Sequence, residues 1–493
     1  MTTRELSSST ATGRRRPRAD TLVFWTLAVA GLVLRILFLL SPGHVFDTDH
    51  ATVFLMARHV AEGEIPAFFW GQSYGGTLLP ITAGAAMVVL GSHVEVLAVV
   101  SVLWFLGAAI LLRHIVARAG GALAGTTAGL LFWFPGVVIL TVSTRDPGFY
   151  GPSLVTALGL IAIATAPLTR PYLSWIGAGL LGGLALWSSP MSLALAAPAA
   201  LWLVLRDIRH PLRLVIGACA ALAAGAPWIV EALRSEGATE SLGGGTWKPT
   251  FQSVVSLFDS MLPAAFGDAV DRTFSAGVGW AAAVLLVVPL IVGFTVRKAG
   301  LVLLSVGSAL VVTVLVYGAG LDLAPDSVRY SAFLAPGLAA SLGWLVSRWR
   351  PLAVAAVIGA VAFTSIGVWD RSDRFTIDTS ARFDPALRPV AELLGARGED
   401  HVYGNYWLSA TLTASTDEEI TVAPLVNRRY PPYEDLAASE DAPVIVVDTG
   451  RFNDVELDTS TVLPPRERVE LGRYTVYFFS DGFDVFDQPW GLF

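Results

Sequence analysis

The chain holds one cysteine and two lysines in 493 residues. Cys219 lies inside an apolar run, so neither a disulfide framework nor a cysteine-built metal centre can form. No GxxxxGK[ST] sequence and no glycine-rich dinucleotide fingerprint is present, so no nucleotide cofactor is expected. Charged residues make up only 15%, and with a net charge of -7 no nucleic-acid partner is expected. Internal repeats are missing too, and the one glycine-rich patch, Ser241 to Trp247, has no strand and helix to frame it as a phosphate cradle. What is there instead is apolar: 54% hydrophobic residues and a mean hydropathy of +0.61 describe a chain that lives in lipid. The preference for arginine over lysine points to a GC-rich genome and, with it, a bacterial plasma membrane.

A basic tail of residues 1–20, with Arg14, Arg15, Arg16 and Arg18, precedes an apolar run from Thr21 to Leu40. That run has the ~20 residues a helix needs to cross the hydrocarbon, and the basic cluster puts the N-terminus in the cytoplasm. No small-residue cleavage site ends the run, so a retained span is expected rather than a signal peptide. Further apolar runs lie at about 77–112, 121–141, 153–169, 173–205, 211–233, 278–296, 300–319, 328–347 and 351–369. The basic clusters at Arg113 with Arg118, Arg206 to Arg213, Arg297 with Lys298, and Arg348 with Arg350 should be cytoplasmic, which sets the parity of the spans between them. Run 173–205 then crosses twice, turning near Ser188 to Pro190, and run 77–112 is one crossing plus an interfacial helix. The expected fold is an α-helical polytopic membrane protein of about eleven transmembrane helices over residues 21–370, with segments 41–76, 142–152, 234–277 and 320–328 outside. From 371 to 493 the pattern changes to short runs such as Val444 to Asp448 and Tyr474 to Phe479, with a helical stretch at Pro385 to Leu394. This reads as a small extracytoplasmic α/β domain.

The informative segment is the first outer loop, 41–76. Asp47 and Asp49 stand just beyond the first span, followed by an amphipathic stretch from Ala51 to Ala61. Two carboxylates at a bilayer surface can take a proton from a hydroxyl or hold a divalent cation against a lipid-linked phosphate, or they can simply cap the helix that follows, with Asp49 as N-cap. Phe68 to Gly76 is aromatic and glycine-rich, suited to an interfacial belt or to a saccharide and lipid contact surface. Arg329, at the outer end of a late span, can grip a phosphate or anchor to Asp322 or Asp326. Arg35 sits inside the first span, where an ionisable group is paired or functional; Asp47 or Asp49 is a candidate partner. His50 and His59 are nine apart and do not share a helix face, which argues against a histidine metal pair.

In order and motif the chain resembles the GT-C glycosyltransferases related to the protein mannosyltransferase and aminoarabinose transferase group. The resemblance rests on the acidic pair, then on Glu62, Gly63, Pro66, Phe68, Phe69, Gly71, Gln72, Tyr74 and Gly76, then on the pair Arg329 and Tyr330, and on Tyr403, Tyr406 and Trp407 in the tail. It implies transfer of a sugar from a polyprenyl-phosphate donor to an extracytoplasmic glycan, lipid or protein acceptor, with inversion. It also implies Asp49, supported by Asp47, as catalytic carboxylate. The candidate substrate-binding residues are Arg329, Tyr330, Gln72, Tyr74, Asp146 and Arg35; the candidate metal ligands are Asp49 and Asp47. Two positions depart from the family pattern: His50 stands where an acidic neighbour is common, and Tyr150 to Pro152 replace a glutamate, with Asp146 as its nearest substitute. A lipid-linked-sugar transporter or flippase would show repeated halves and midplane charges, and the sequence shows neither. A non-catalytic scaffold is the remaining alternative and would survive loss of both aspartates.

Overall fold

The computed structural model describes residues 19–72, 75–234, 298–318, 325–379, 382–449 and 465–486, together with the isolated positions 255, 284 and 287. Tyr74, the arginines of the N-terminal tail, the glycine-rich patch, the run 278–296 apart from positions 284 and 287, and Asp322 lie outside these residues, as does the side chain of Asp326.

The membrane part opens with α1 (Ala19–Leu39), after which α2 (Thr48–Glu62) lies beyond the end of the span. Asp47, not Asp49, is the N-cap of α2: its carboxylate accepts the His50 amide at 3.0 Å. Gly63, in the left-handed region at φ 104, closes the helix. Next come α3 (Leu78–Leu90) and α4 (Val94–Gly120). The thirteen residues of α3 span about 20 Å, short of the ~30 Å hydrocarbon, so within this run α4 is the crossing helix, with α3 packed against α2.

The run read as one span at 121–141 is broken. α5 (Ala122–Trp133) and α6 (Val137–Thr144) meet at 75° around Pro135 and Gly136. Proline cannot donate the helical hydrogen bond at that point, and Gly136 adopts φ 84, open to glycine alone at low cost. Its amide is satisfied instead by Thr364 Oγ1 at 3.1 Å.

α7 (Tyr150–Ala164) leads to α8 (Pro171–Ser188) and α9 (Pro190–Asp207), which turn at Ser189 as expected; Ser189 caps α9 by accepting the Met191 amide, and Pro190 sits in the first turn. α10 (Pro211–Arg234) packs on α8 through small residues. A side chain at Gly179 or Gly183 would strike the α10 carbonyls of Gly217 or Ala221, so the contact depends on their having none. α11 (Ala299–Thr313) ends in a π-helical turn, Val314–Gly318; a 3₁₀ segment, Pro325–Phe333, follows before α12 (Ala335–Val346) and α13 (Arg350–Arg371).

Among the described residues, five helices are long and apolar enough to cross alone, six if α5 and α6 form one broken span. The expectation of about eleven also counts runs folded here as short or less apolar helices, and one outside the described residues.

The bundle has a clear polarity. Arg113, near the far end of α4, donates to Thr21 at the start of α1 at 2.9 Å. Arg382 joins Glu95 at the start of α4 (2.6 Å) to the Leu39 carbonyl at the end of α1 (2.8 Å). The two helices are therefore antiparallel, and the aspartate pair lies at the Leu39 end.

Beyond α13 the chain forms a five-stranded sheet in the order β2-β1-β3-β5-β4, from β1 (His401–Gly404), β2 (Thr421–Pro424), β3 (Val444–Asp448), β4 (Glu467–Leu471) and β5 (Tyr474–Phe478). β1 pairs parallel with β2 and β3; β5 pairs antiparallel with β3 and β4. Helices α14 (Arg388–Arg397), α15 (Tyr406–Ser415) and α16 (Pro431–Ala438) pack around the sheet. Along β3 the side chains alternate, Val444 and Val446 in one apolar cluster, Ile445 and Val447 in the other, as a strand buried on both faces requires.

Candidate active site

Helix α2 is the hinge of the site, because it touches the bundle at its start and the sheet-bearing unit along its length. Thr48 donates to the Trp407 carbonyl and lies 3.0 Å from the Thr411 hydroxyl, so α15 is laid across the first turn of α2. One residue later Asp49 meets side chains from both directions. From the bundle, Nη1 of Arg329 on the 3₁₀ segment donates to Oδ2, across 280 residues of sequence. From α15, the Tyr406 hydroxyl donates to Oδ1 at 2.5 Å. Arg429, just before α16, donates to that hydroxyl at 2.7 Å and to the Trp70 carbonyl at 3.2 Å.

Asp49 is thus a largely buried carboxylate, its side chain 15% exposed, matched by one arginine directly and by a second through a tyrosine. Burial, then the neighbouring carboxylate, holds the Tyr406 hydroxyl above its ordinary pKa, so it stays a proton donor to Asp49.

Three polar atoms around this cluster are buried without a partner among the described residues: Nε of Arg329, Nε of Arg429 and Oε1 of Gln72. Buried polar atoms normally find partners, so these three stand out beside the Asp49 cluster. Gln72 is held there by its amide bond to the Phe69 carbonyl at 3.0 Å and by the tight approach of Gly71 to the backbone at Arg428 and Arg429.

The other sequence candidates are placed differently. Asp47 caps α2 and lies 3.8 Å from Arg145, whose Nη1 also donates to the Val45 carbonyl at 2.6 Å. Asp146 is fully buried and spends its oxygens on the amides of Gly148, Tyr150 and Gly151 at 2.7–3.0 Å, the open amides at the start of α7. Burial pushes its carboxyl up to about 6, while those amides pull it down. Tyr330 lies 5.9 Å from the Tyr150 ring, facing the bundle, with the Arg329 guanidinium 5.7 Å from its own ring.

Arg35 is buried in the bundle rather than turned to the aspartates. It donates to Ser143 Oγ (3.0 Å) and to the carbonyls of Gly31 (3.2 Å) and Trp133 (2.9 Å), and lies 3.7 Å over the Trp133 ring. It fastens α1 to the broken α5–α6 pair. His50 is also buried, stacked 4.5 Å from the Phe46 ring; burial and then Arg145 push it down to about 3, so it is neutral and distant from any role as a charged ligand.

Among the described residues no three His, Cys, Asp or Glu side chains converge as a metal site. Asp49 is held by a guanidinium and a tyrosine, while Asp47, its side chain 56% exposed, gives Oδ1 to a helix amide.

The far end of α2 carries a second cluster that the sequence reading did not anticipate. His59 bonds to Glu64 through Nδ1 (2.8 Å) and to Glu418 through Nε2 (2.9 Å). Arg58 pairs with Asp417 (3.3 Å) and Glu418 (3.2 Å), Tyr433 donates to Glu418, and Tyr430 stacks 4.1 Å from Trp70. Burial lowers the His59 pKa, but the bonds to Glu418 and Glu64 outweigh it and hold the ring up to about 8. Arg429 was missed as well; its only trace in the sequence is a basic pair, Arg428 and Arg429, in an acidic tail.

No protein-family model matches the sequence, and no curated protein matches it. Solved structures do. ArnT from Cupriavidus metallidurans bound to undecaprenyl phosphate superposes with a TM-score of 0.63 at 14% identity, over 93% of this chain and 97% of that one. The apo form of the same protein gives 0.61 at 12% identity, over 93% and 98%. The Archaeoglobus fulgidus oligosaccharyltransferase in complex with Zn and sulfate gives 0.50 at 11% identity, over 88% and 69%. These neighbours are multi-pass membrane glycosyltransferases of the GT-C type, and the architecture shared along nearly the whole chain gives the present protein the GT-C fold.

Proposed function

We propose that the protein is a membrane glycosyltransferase that moves a sugar from a polyprenyl-phosphate donor to a hydroxyl-bearing acceptor outside the cytoplasm, with inversion at the anomeric carbon. The observation that carries the reading is the convergence of Asp49, Arg329 and Tyr406 at one membrane end of the bundle, with unpartnered donors on both arginines. ArnT, whose structure holds undecaprenyl phosphate, supports the donor class.

The Arg329–Asp49 pair then has a simple use. A donor phosphate competes for the guanidinium, and as Arg329 turns to it the Asp49 carboxylate is released as a base. The acceptor oxygen attacks the anomeric carbon as its proton passes to Asp49. The bond from that carbon to the phosphate oxygen breaks, and polyprenyl phosphate leaves with its charge matched by Arg329. Tyr406, steadied by Arg429, holds the carboxylate in place throughout. Gln72 offers a free amide oxygen to a sugar or acceptor hydroxyl. Asp47 supports Asp49 by starting the helix that carries it. The acceptor class, whether glycan, lipid or protein, is set on the side of the sheet-bearing unit.

An apolar groove of ≈ 260 Å³ between α5, α12 and α13, lined by Phe132, Pro135, Leu338 and Phe363, begins within a turn of the segment carrying Arg329 and suits the first isoprene units of a donor.

The test is transfer of radiolabelled sugar from a panel of polyprenyl-phosphate donors by the purified protein in vesicles. Asp49→Asn should lower transfer by about 10²–10⁴-fold while donor binding persists. Equal transfer by wild type and Asp49→Asn overturns the base assignment, and no transfer by wild type from any donor overturns the activity.

A further inference from the structure

A second polar cleft lies at the opposite end of the bundle. It has a volume of ≈ 570 Å³ and is lined by Arg118 in the last turn of α4, Gly121 just after it, Lys298 before α11, and Trp344, Ser347 and Arg348 at the end of α12. Its place follows from the antiparallel helices: Glu95 of α4 is joined to the aspartate end, and Arg118 stands 23 residues further along the same helix, about 35 Å away. That distance is a hydrocarbon thickness.

Among the described residues three cations line the cleft and no aspartate or glutamate does. Arg118 gives one bond to the Ala162 carbonyl at 2.7 Å and keeps its remaining donors. The Arg348 guanidinium is positioned 4.3 Å over the Trp344 ring, which fixes its plane. Like charges gathered without a counter-charge repel one another, and an anion that occupies the cleft removes that cost. A fork-shaped guanidinium pair, an ammonium and a serine hydroxyl are the donors that suit phosphate oxygens. Close in sequence to the lining residues Ser347 and Arg348, Trp349 (61% exposed), Leu352 (46%) and Leu345 (37%) leave apolar surface on the same helix ends. Exposed apolar surface with a tryptophan on the helix ends that carry a cationic cleft suits a headgroup with acyl chains attached better than a free ion.

We propose that this cleft binds the phosphate-bearing headgroup of an anionic membrane lipid, in the leaflet opposite the aspartate site. Assignment to the cytoplasmic leaflet rests on the proposed function, which puts Asp49 outside; lipid binding itself does not depend on it. A failed transfer assay would therefore leave the lipid result standing.

The experiment is native mass spectrometry of the full-length purified protein with phosphatidylglycerol, cardiolipin or phosphatidylcholine at equal concentration, with and without inorganic phosphate. Wild type should retain the anionic lipids over phosphatidylcholine by at least about tenfold, and R118Q/K298Q/R348Q should lose that preference. R118K/R348K, which keeps the charge, should hold the lipid. If the triple variant does not fold, K298Q alone is read and should lower anionic-lipid retention by about threefold. Retention unchanged in the glutamine variants overturns the site. Displacement of the lipid by equimolar inorganic phosphate overturns the lipid as its occupant.

Discussion

The two ends of α2 are built from similar residues and do opposite things. At its start, Asp49 is largely buried and met by Arg329 and Tyr406, and the surrounding Arg329, Arg429 and Gln72 keep atoms with no partner among the described residues. At its end, His59, Arg58 and Glu418 form a network in which both His59 nitrogens and both Glu418 oxygens are engaged, between the same two parts of the molecule. A saturated network clamps; an unsaturated one is ready for a ligand. On the proposed function, the difference separates docking from chemistry along a single helix.

The comparison breaks most sharply at Arg329. Arg329→Ala should lower transfer by about 10²–10³-fold and raise the donor KM, whereas Arg329→Lys should restore part of the rate, because a point charge replaces the fork. An alanine variant with unchanged KM for the donor would separate Arg329 from phosphate. Removing Tyr406 is expected to matter less. Tyr406→Phe or Arg429→Gln should cost about tenfold and shift the acid limb of the pH–rate profile, since both groups act on the Asp49 carboxylate; a loss of rate with an unmoved profile would make them structural.

At the clamp end the effect should be smaller still and depend on pH. The His59 pKa is raised from 6.5 to about 8, so its contribution is complete below about pH 6.5 and is lost as the pH rises through 8. Glu418 is held below the ordinary carboxylate range by His59 and Tyr433 despite its burial, so its contribution is present at neutral pH and fades in acid. Once the intrinsic base-catalysed rise of amide exchange is divided out, protection of segments 58–64 and 417–433 should fall by about tenfold from pH 6 to pH 9, and His59→Gln should flatten that dependence. A pH response unchanged in His59→Gln would place the switch elsewhere.

Much of this arrangement was legible because it is written in short-range pattern. Apolar runs marked the long helices, Ser188 to Pro190 marked a hairpin, and Val444 to Asp448 marked a central strand. The acidic pair and the Arg329–Tyr330 pair were visible as polar groups at the ends of apolar runs. Their roles were harder to read. Asp47 and Asp49 look equivalent on paper, yet one starts the helix and the other faces the cluster, since two residues along a helix is more than half a turn. The break at Pro135 was written plainly as Phe-Pro-Gly, but hydropathy averages across it. Asp146 looked like a site carboxylate; only the three-dimensional start of α7 shows its oxygens spent on amides. Arg429 and Glu418 could not be found from pattern, because nothing local in sequence ties them to α2, some 360 residues earlier.

That separation has a consequence for synthesis. Asp49 is translated early, Arg329 after most of the bundle, and Tyr406 and Arg429 only when the sheet is under way. At ~5–20 residues per second, a nascent chain carries its aspartate for tens of seconds before the last of these partners exists. A chain interrupted before residue 329 would hold neither Arg329 nor Tyr406 beside Asp49, and one interrupted between 329 and 406 would hold the arginine alone.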